Sequence, residues 1–129
     1  MSDSLRIIVT SGTREKLQMA AMIVAVAAAG GTDVAVFVSM NALLFFRKEG
    51  APEAPSEGEV GRLLVAKKAP CFLDLFQQAV GLGSVKIYPC AMAMDVLALE
   101  PKDLAVYLEK PMGLTRFLSE LDGSHVLTF

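Results

Sequence analysis

Chemistry in this chain must come from few groups, because Cys71, Cys90 and His125 are its only cysteines and its only histidine. Cys90 follows Pro89 and opens a segment, Cys90 to Leu97, that reads as a helix. In a first helical turn the unpaired amides and the helix dipole favour a thiolate over a thiol. Such a thiolate is nucleophilic near neutral pH. The competing reading is a buried cysteine that acts as a small hydrophobe.

The other candidates have two readings each. Cys71, behind Pro70, can also open a helix, either as a thiol that resolves an adduct on Cys90 or as a packing residue. Met92 and Met94 alternate with Ala91 and Ala93, and serve as a soft apolar rim or as core. Asp95 lies slightly past the helical face of Cys90, which fits a bond to backbone or a neighbouring chain better than a general base. Ser11, Thr13 and Asn41 could seat an anion at a helix start or simply cap it. His125 reads as a structural or interface histidine. Two cysteines and one distant histidine lack zinc-ligand spacing, so no zinc site is expected.

These residues depend on the elements that hold them. Leu5 to Thr10 is rich in β-branched residues and ends at Ser11-Gly12-Thr13, reading as a strand and its turn. Arg14 to Ala29 is made of strong helix formers, polar for one turn and then apolar all round, until Gly30-Gly31 stops it. A helix apolar on every side is expected to be buried by more than its own sheet. Val34 to Val38 is a continuous apolar strand of the kind covered on both faces. A Gly-, Pro- and Glu-rich stretch follows, placing a flexible loop at about 47–62. A helix through Phe72 and Ala79 and a strand over Ser84 to Tyr88 come next. A fourth strand over Leu104 to Leu108, a helix over Leu114 to Leu121 and a last strand over His125 to Phe129 complete the alternation.

The expected fold is α/β: one three-layer domain over 1–129, with a mostly parallel five-stranded sheet and helices on both faces, most simply in flavodoxin-like order. Ligands in such sheets bind beyond the carboxyl ends of the strands. The loops carrying Ser11 and Thr13, Asn41, and Cys90 should meet there.

Several function classes are disfavoured. A net charge of -2 with scattered basic residues leaves no stripe to neutralise nucleic-acid phosphates. The longest apolar runs fall short of the roughly 20 residues that span a bilayer. Met1-Ser2-Asp3-Ser4 lacks the basic and apolar parts of a secretory signal, so a cytoplasmic location with reduced cysteines is expected. Val96 follows Cys90 by six positions and Gln77 follows Cys71 by six, which leaves no arginine for a Cys-x5-Arg phosphatase. Cys-x-x-Cys, receiver and Walker signatures are also missing.

Cys90-Ala91-Met92-Ala93-Met94-Asp95, entered by Val85-Lys86-Ile87-Tyr88, resembles the Cys-x-Met-x-Met-Asp signature of one branch of the DsrE/DsrF-like family, some of whose members are labelled peroxiredoxin-like. The likeness extends to Ser11 through Leu17 with its alanine-rich helix and to Gly113 through Leu118, and so covers most of the chain. The resemblance implies a DsrE-type α/β homo-oligomer, a trimer or a hexamer built of two trimers, whose thiol chemistry requires no metal or organic cofactor. It also implies sulfur relay through Cys90, which would accept sulfur as persulfide or thiosulfonate. A TusA-like or rhodanese-like carrier is the implied partner, and a sulfur carrier or sulfurtransferase-like role fits better than a turnover enzyme. The alternative is a non-catalytic oligomeric binding or assembly module with Cys90 buried.

Overall fold

A computed structural model describes residues 4–129. Met1 to Asp3, part of the segment read above for a secretory signal, lie outside the described residues. The chain forms β1 (Ser4–Val9), α1 (Arg14–Ala29), β2 (Asp33–Val38), a 3₁₀ segment (Met40–Phe46), α2 (Glu59–Ala66) and α3 (Phe72–Gly81). It continues through β3 (Val85–Pro89), α4 (Ala91–Val96), a 3₁₀ turn (Pro101–Asp103), α5 (Leu114–Ser119) and β4 (His125–Thr128).

The sheet is wholly parallel, in the order β3-β2-β1-β4. Right-handed crossovers that step in one direction from β1 to β3 leave α1 and α3 together on one face, where they pack on each other. The return to β4 beside β1 puts α5 on the other face. Strand alternation sends Phe37 away from Val36 and Val38, and its ring meets Phe117 of α5 at 5.0 Å between centroids. The core between sheet, α1 and α3 is built from Ile7, Val9, Leu17, Val24, Val36, Val38, Phe76 and Ile87, all fully buried.

Two features of the expected sheet are corrected. It has four strands, not five, because 104–108 does not form one: Leu104 makes a single antiparallel bridge to Arg47, and Leu108 N-H turns back to Ala105 O. The free edge of β3 is instead followed by 109–112, where Glu109 N-H donates to Ile87 O and Met112 N-H to Pro89 O. Pro111 has no amide proton to offer that edge, which keeps the segment from a regular ladder. The order also differs from the flavodoxin pattern, since β3 stands outside β2 rather than beside β1.

α1 has the expected bounds and is covered by α3 as well as by its sheet, though not on every side. Leu17, Ala20, Ala21, Val24 and Ala28 are buried, whereas Met19, Met22 and Val26 form a stripe open to solvent. The Gly- and Pro-rich segment runs into α2 and is tied to the start of α1. Arg14 N-H donates to Pro55 O, Arg14 Nη2 to Ala54 O, and the Glu15 carboxylate accepts the amides of Glu57, Gly58 and Gly61. A Cβ at Gly61 would collide with that carboxylate, so a larger residue there would push Glu15 away from these amides.

Candidate functional site

The carboxyl ends of β1, β2 and β3 lie side by side, and the loops that leave them touch. Ser39 N-H donates to Val9 O, Ala42 N-H to Thr10 O, and Cys90 N-H to Val38 O at 2.9 Å. Gly12 lies so close to Asn41 that a Cβ there would fall 2.8 Å from Asn41 Cβ. The sequence thus brings the three predicted loops to one edge, as the parallel alternation requires.

Cys90 is the N-cap residue of α4. Its backbone is extended (φ -71°, ψ 121°), and its Sγ accepts the Ala93 amide at 3.5 Å. Met112 pairs alongside, with Ala91 N-H donating to Met112 O, so Cys90 is clamped between β2 and the 109–112 segment. Its side chain is 4 % exposed. Sulfur here can accept a hydrogen bond and be held still, but a partner thiol cannot reach it without local opening.

The residues around Cys90 divide sharply. Met94 is core, whereas Met92 and Met40 are half exposed and line a cavity of about 150 Å³ with Asn41, Ala93, Val96 and Leu97. Ala93 belongs to both places, since its amide faces Sγ and it also lines the cavity. Met40 holds a left-handed backbone (φ 53°), a conformation that costs a side-chain-bearing residue roughly 1–2 kcal/mol. Asp95 is exposed, and its carbonyl accepts the Ala98 amide.

Two of the three anion-seat residues, Ser11 and Thr13, have partners within the chain. Thr13 is the N-cap of α1, but its hydroxyl donates to Glu57 Oε1 at 2.7 Å rather than capping α1 amides. Ser11 Oγ lies 3.4 Å from Thr13 Oγ1, and Lys16 reaches Glu57 at 3.8 Å. A carboxylate of the chain itself therefore stands beside Thr13. The Glu15 carboxyl is held below its ordinary range, first by the Glu57 amide and then by those of Gly58 and Gly61.

Cys71 is exposed, and as N-cap of α3 it makes no side-chain bond. It stands near Tyr107, whose phenol is pushed up to about 12 by burial and then by the negative charges of Asp74 and Cys71. Both cysteines are free thiols. His125 begins β4 in an exposed position. Among the described residues no three His, Cys, Asp or Glu side chains group as metal ligands would, and no helix is long and apolar enough to cross a membrane.

Sequence reasoning missed Met112, Met40 and Glu15. Pro111 hinted that the chain breaks near Met112, and the glycines at 58 and 61 marked a close approach, but no local signal named the partner of either.

The family model for the DsrE/DsrF-like family matches residues 3–129. The chain belongs to this family. Sulfur relay is the activity to which the family is generally linked. Among solved structures, the ychN protein from E. coli is similar with a TM-score of 0.65 and 14% identity, covering 98% of this chain and 99% of that one. The protein of unknown function MTH1491 from Methanobacterium thermoautotrophicum is similar with a TM-score of 0.68 and 10% identity, covering 99% of this chain and 100% of that one. At such identities the likeness is one of fold. No curated protein sequence matches the chain.

Proposed function

We propose that this DsrE-like protein is a cytoplasmic sulfur-relay protein that holds sulfane sulfur on Cys90 and passes it to or from a TusA-like or rhodanese-like carrier. The observation that carries the reading is the position of Cys90 at the β3-to-α4 junction, with an amide of the first helical turn on its Sγ. In the transfer step the Cys90 thiolate attacks the outer sulfur of a donor persulfide R-S-SH. The new bond joins Cys90 Sγ to that sulfur, the old S-S bond breaks, and R-S⁻ leaves with the electron pair. A second thiolate repeats the step on the Cys90 persulfide, so no external oxidant or reductant is consumed.

Burial makes access the controlling feature. The Met40, Asn41 and Met92 cavity beside Ala93 is the route by which a carrier's thiol approaches once α4 loosens from the 3₁₀ segment. Homo-oligomerisation, as a trimer or hexamer, is supported by the uncovered Met19, Met22 and Val26 stripe on α1. Light scattering in solution tests that assembly.

The decisive assay loads a carrier with isotopically labelled persulfide and follows the label by intact mass spectrometry. Wild type should take and return the label, and Cys90→Ser should do neither. A second reading, in which Cys90 only fills the core of an assembly module, is favoured by its 4 % exposure. That reading predicts a protein that stays unlabelled with every donor.

A further inference from the structure

The sheet face under α5 carries a hollow that the chemistry of Cys90 does not use. Register sets Arg6, Ala35 and Lys86 side by side on β1, β2 and β3, and alternation turns all three away from the face of Val36 and Ile87. With about 4.8 Å between strands, the two cations stand roughly 10 Å apart at the backbone with only a methyl group between them. The gap is a cavity of about 180 Å³ whose lining also includes Asp33, Tyr88, Phe117 and Glu120. That volume holds several waters or one small molecule.

Charges of both signs share this hollow without closing on one another. Among the described residues Arg6, Lys86 and Asp33 form no ion pair, and Glu120 is paired with Arg116 outside it. Arg6 Nη1 donates to the neighbouring Leu5 O at 3.3 Å, which leaves most of its donor fork free. A simple anion here would meet Asp33 and Glu120, and a simple amine would meet Arg6 and Lys86. A ligand bearing both charges answers Arg6 and Lys86 with one and Asp33 with the other.

We propose that the hollow binds a small α-amino acid as its zwitterion. The carboxylate lies between Arg6 and Lys86, where the guanidinium fork matches its two oxygens. The ammonium group faces Asp33, and Tyr88 and Phe117 enclose the side chain. The hollow shares Met112 with the Cys90 clamp, but its binding stands whether or not Cys90 carries sulfur.

Titration calorimetry of the full chain at low ionic strength tests it, with L-alanine as ligand and acetate and methylamine as its two halves. L-Alanine should bind with a dissociation constant below about 1 mM. Each half should bind at least about tenfold more weakly, since acetate leaves Asp33 unanswered and methylamine leaves Arg6 and Lys86. Ala35→Leu, which fills the hollow, should weaken L-alanine by at least about tenfold with an unchanged circular dichroism spectrum. Lys86→Gln, at an exposed position, should do the same if the leucine variant does not fold. Absence of L-alanine binding would overturn the proposal, as would acetate binding equally well or affinity unchanged in the folded variants.

Discussion

The starts of α3 and α4 are twins in sequence and opposites in structure. Each is a proline followed by a cysteine that becomes the N-cap of a helix, and each cysteine's carbonyl accepts the amide four residues on. Pro89 ends β3 alongside β2, so the Cys90 amide is taken by Val38 and the 109–112 segment closes over it. Pro70 leaves a surface turn in which Lys68 adopts a left-handed backbone (φ 56°), and Cys71 stays in solvent. The same dipeptide therefore gives a clamped thiol or a free one according to what the preceding residues are attached to. A persulfide would be sheltered at the first and lost to any passing thiol at the second.

Alkylation under native conditions gives the largest expected contrast. Cys71 should react with iodoacetamide on the order of a hundredfold faster than Cys90, because Cys90 must wait for local opening. In denaturant the two rates should converge, and equal native rates would erase the distinction. Alkaline pH probes the Cys71 side through Tyr107. A folded pKa near 12 against an ordinary 10 favours the folded state below pH 10, by about 2–3 kcal/mol relative to high pH. That stability should be lost as pH rises from 10 through 12. Tyr107→Phe should remove most of this dependence in thermal melts, and Cys71→Ser only a small part.

Urea unfolding separates the two thiols as packing groups. Cys90→Ala leaves a small cavity and an uncapped Ala93 amide and should cost about 1–2 kcal/mol. Cys71→Ala, on the surface, should change stability by less than about 0.5 kcal/mol. The smallest effect belongs to neither thiol. The Glu15 carboxyl is held below its ordinary 4.5, so its contribution is present above pH 4.5 and fades as pH falls through its lowered value. Glu15→Gln should flatten the acid limb of the stability curve and leave labelling of both cysteines unchanged at neutral pH.

Much of this comparison was legible in the sequence, through features of local origin. The continuous apolar run at Val34 to Val38, the glycine stop after Ala29 and the helix beginning at Cys90 each state their structure within a few residues. Strand order does not, because nothing in β3 or β4 says which edge of the sheet it joins. The 104–108 stretch shows the limit, for its apolar residues are satisfied by Phe46, Arg47 and a turn rather than by a ladder. Burial of Cys90, one of two readings of the sequence, stayed undecided there for the same reason, since the residues that close over it lie some twenty positions later. Thr13 looked like a cap, and it was the distant Glu57 that took its hydroxyl.

The central claim is that the clamped thiol, not the exposed one, holds transferable sulfur. Intact mass spectrometry of wild type, Cys71→Ser and Cys90→Ser after exposure to polysulfide and removal of excess reagent by gel filtration tests it most directly. The account predicts retained sulfur on wild type and Cys71→Ser and none on Cys90→Ser. Sulfur retained by Cys90→Ser and lost from Cys71→Ser would contradict it.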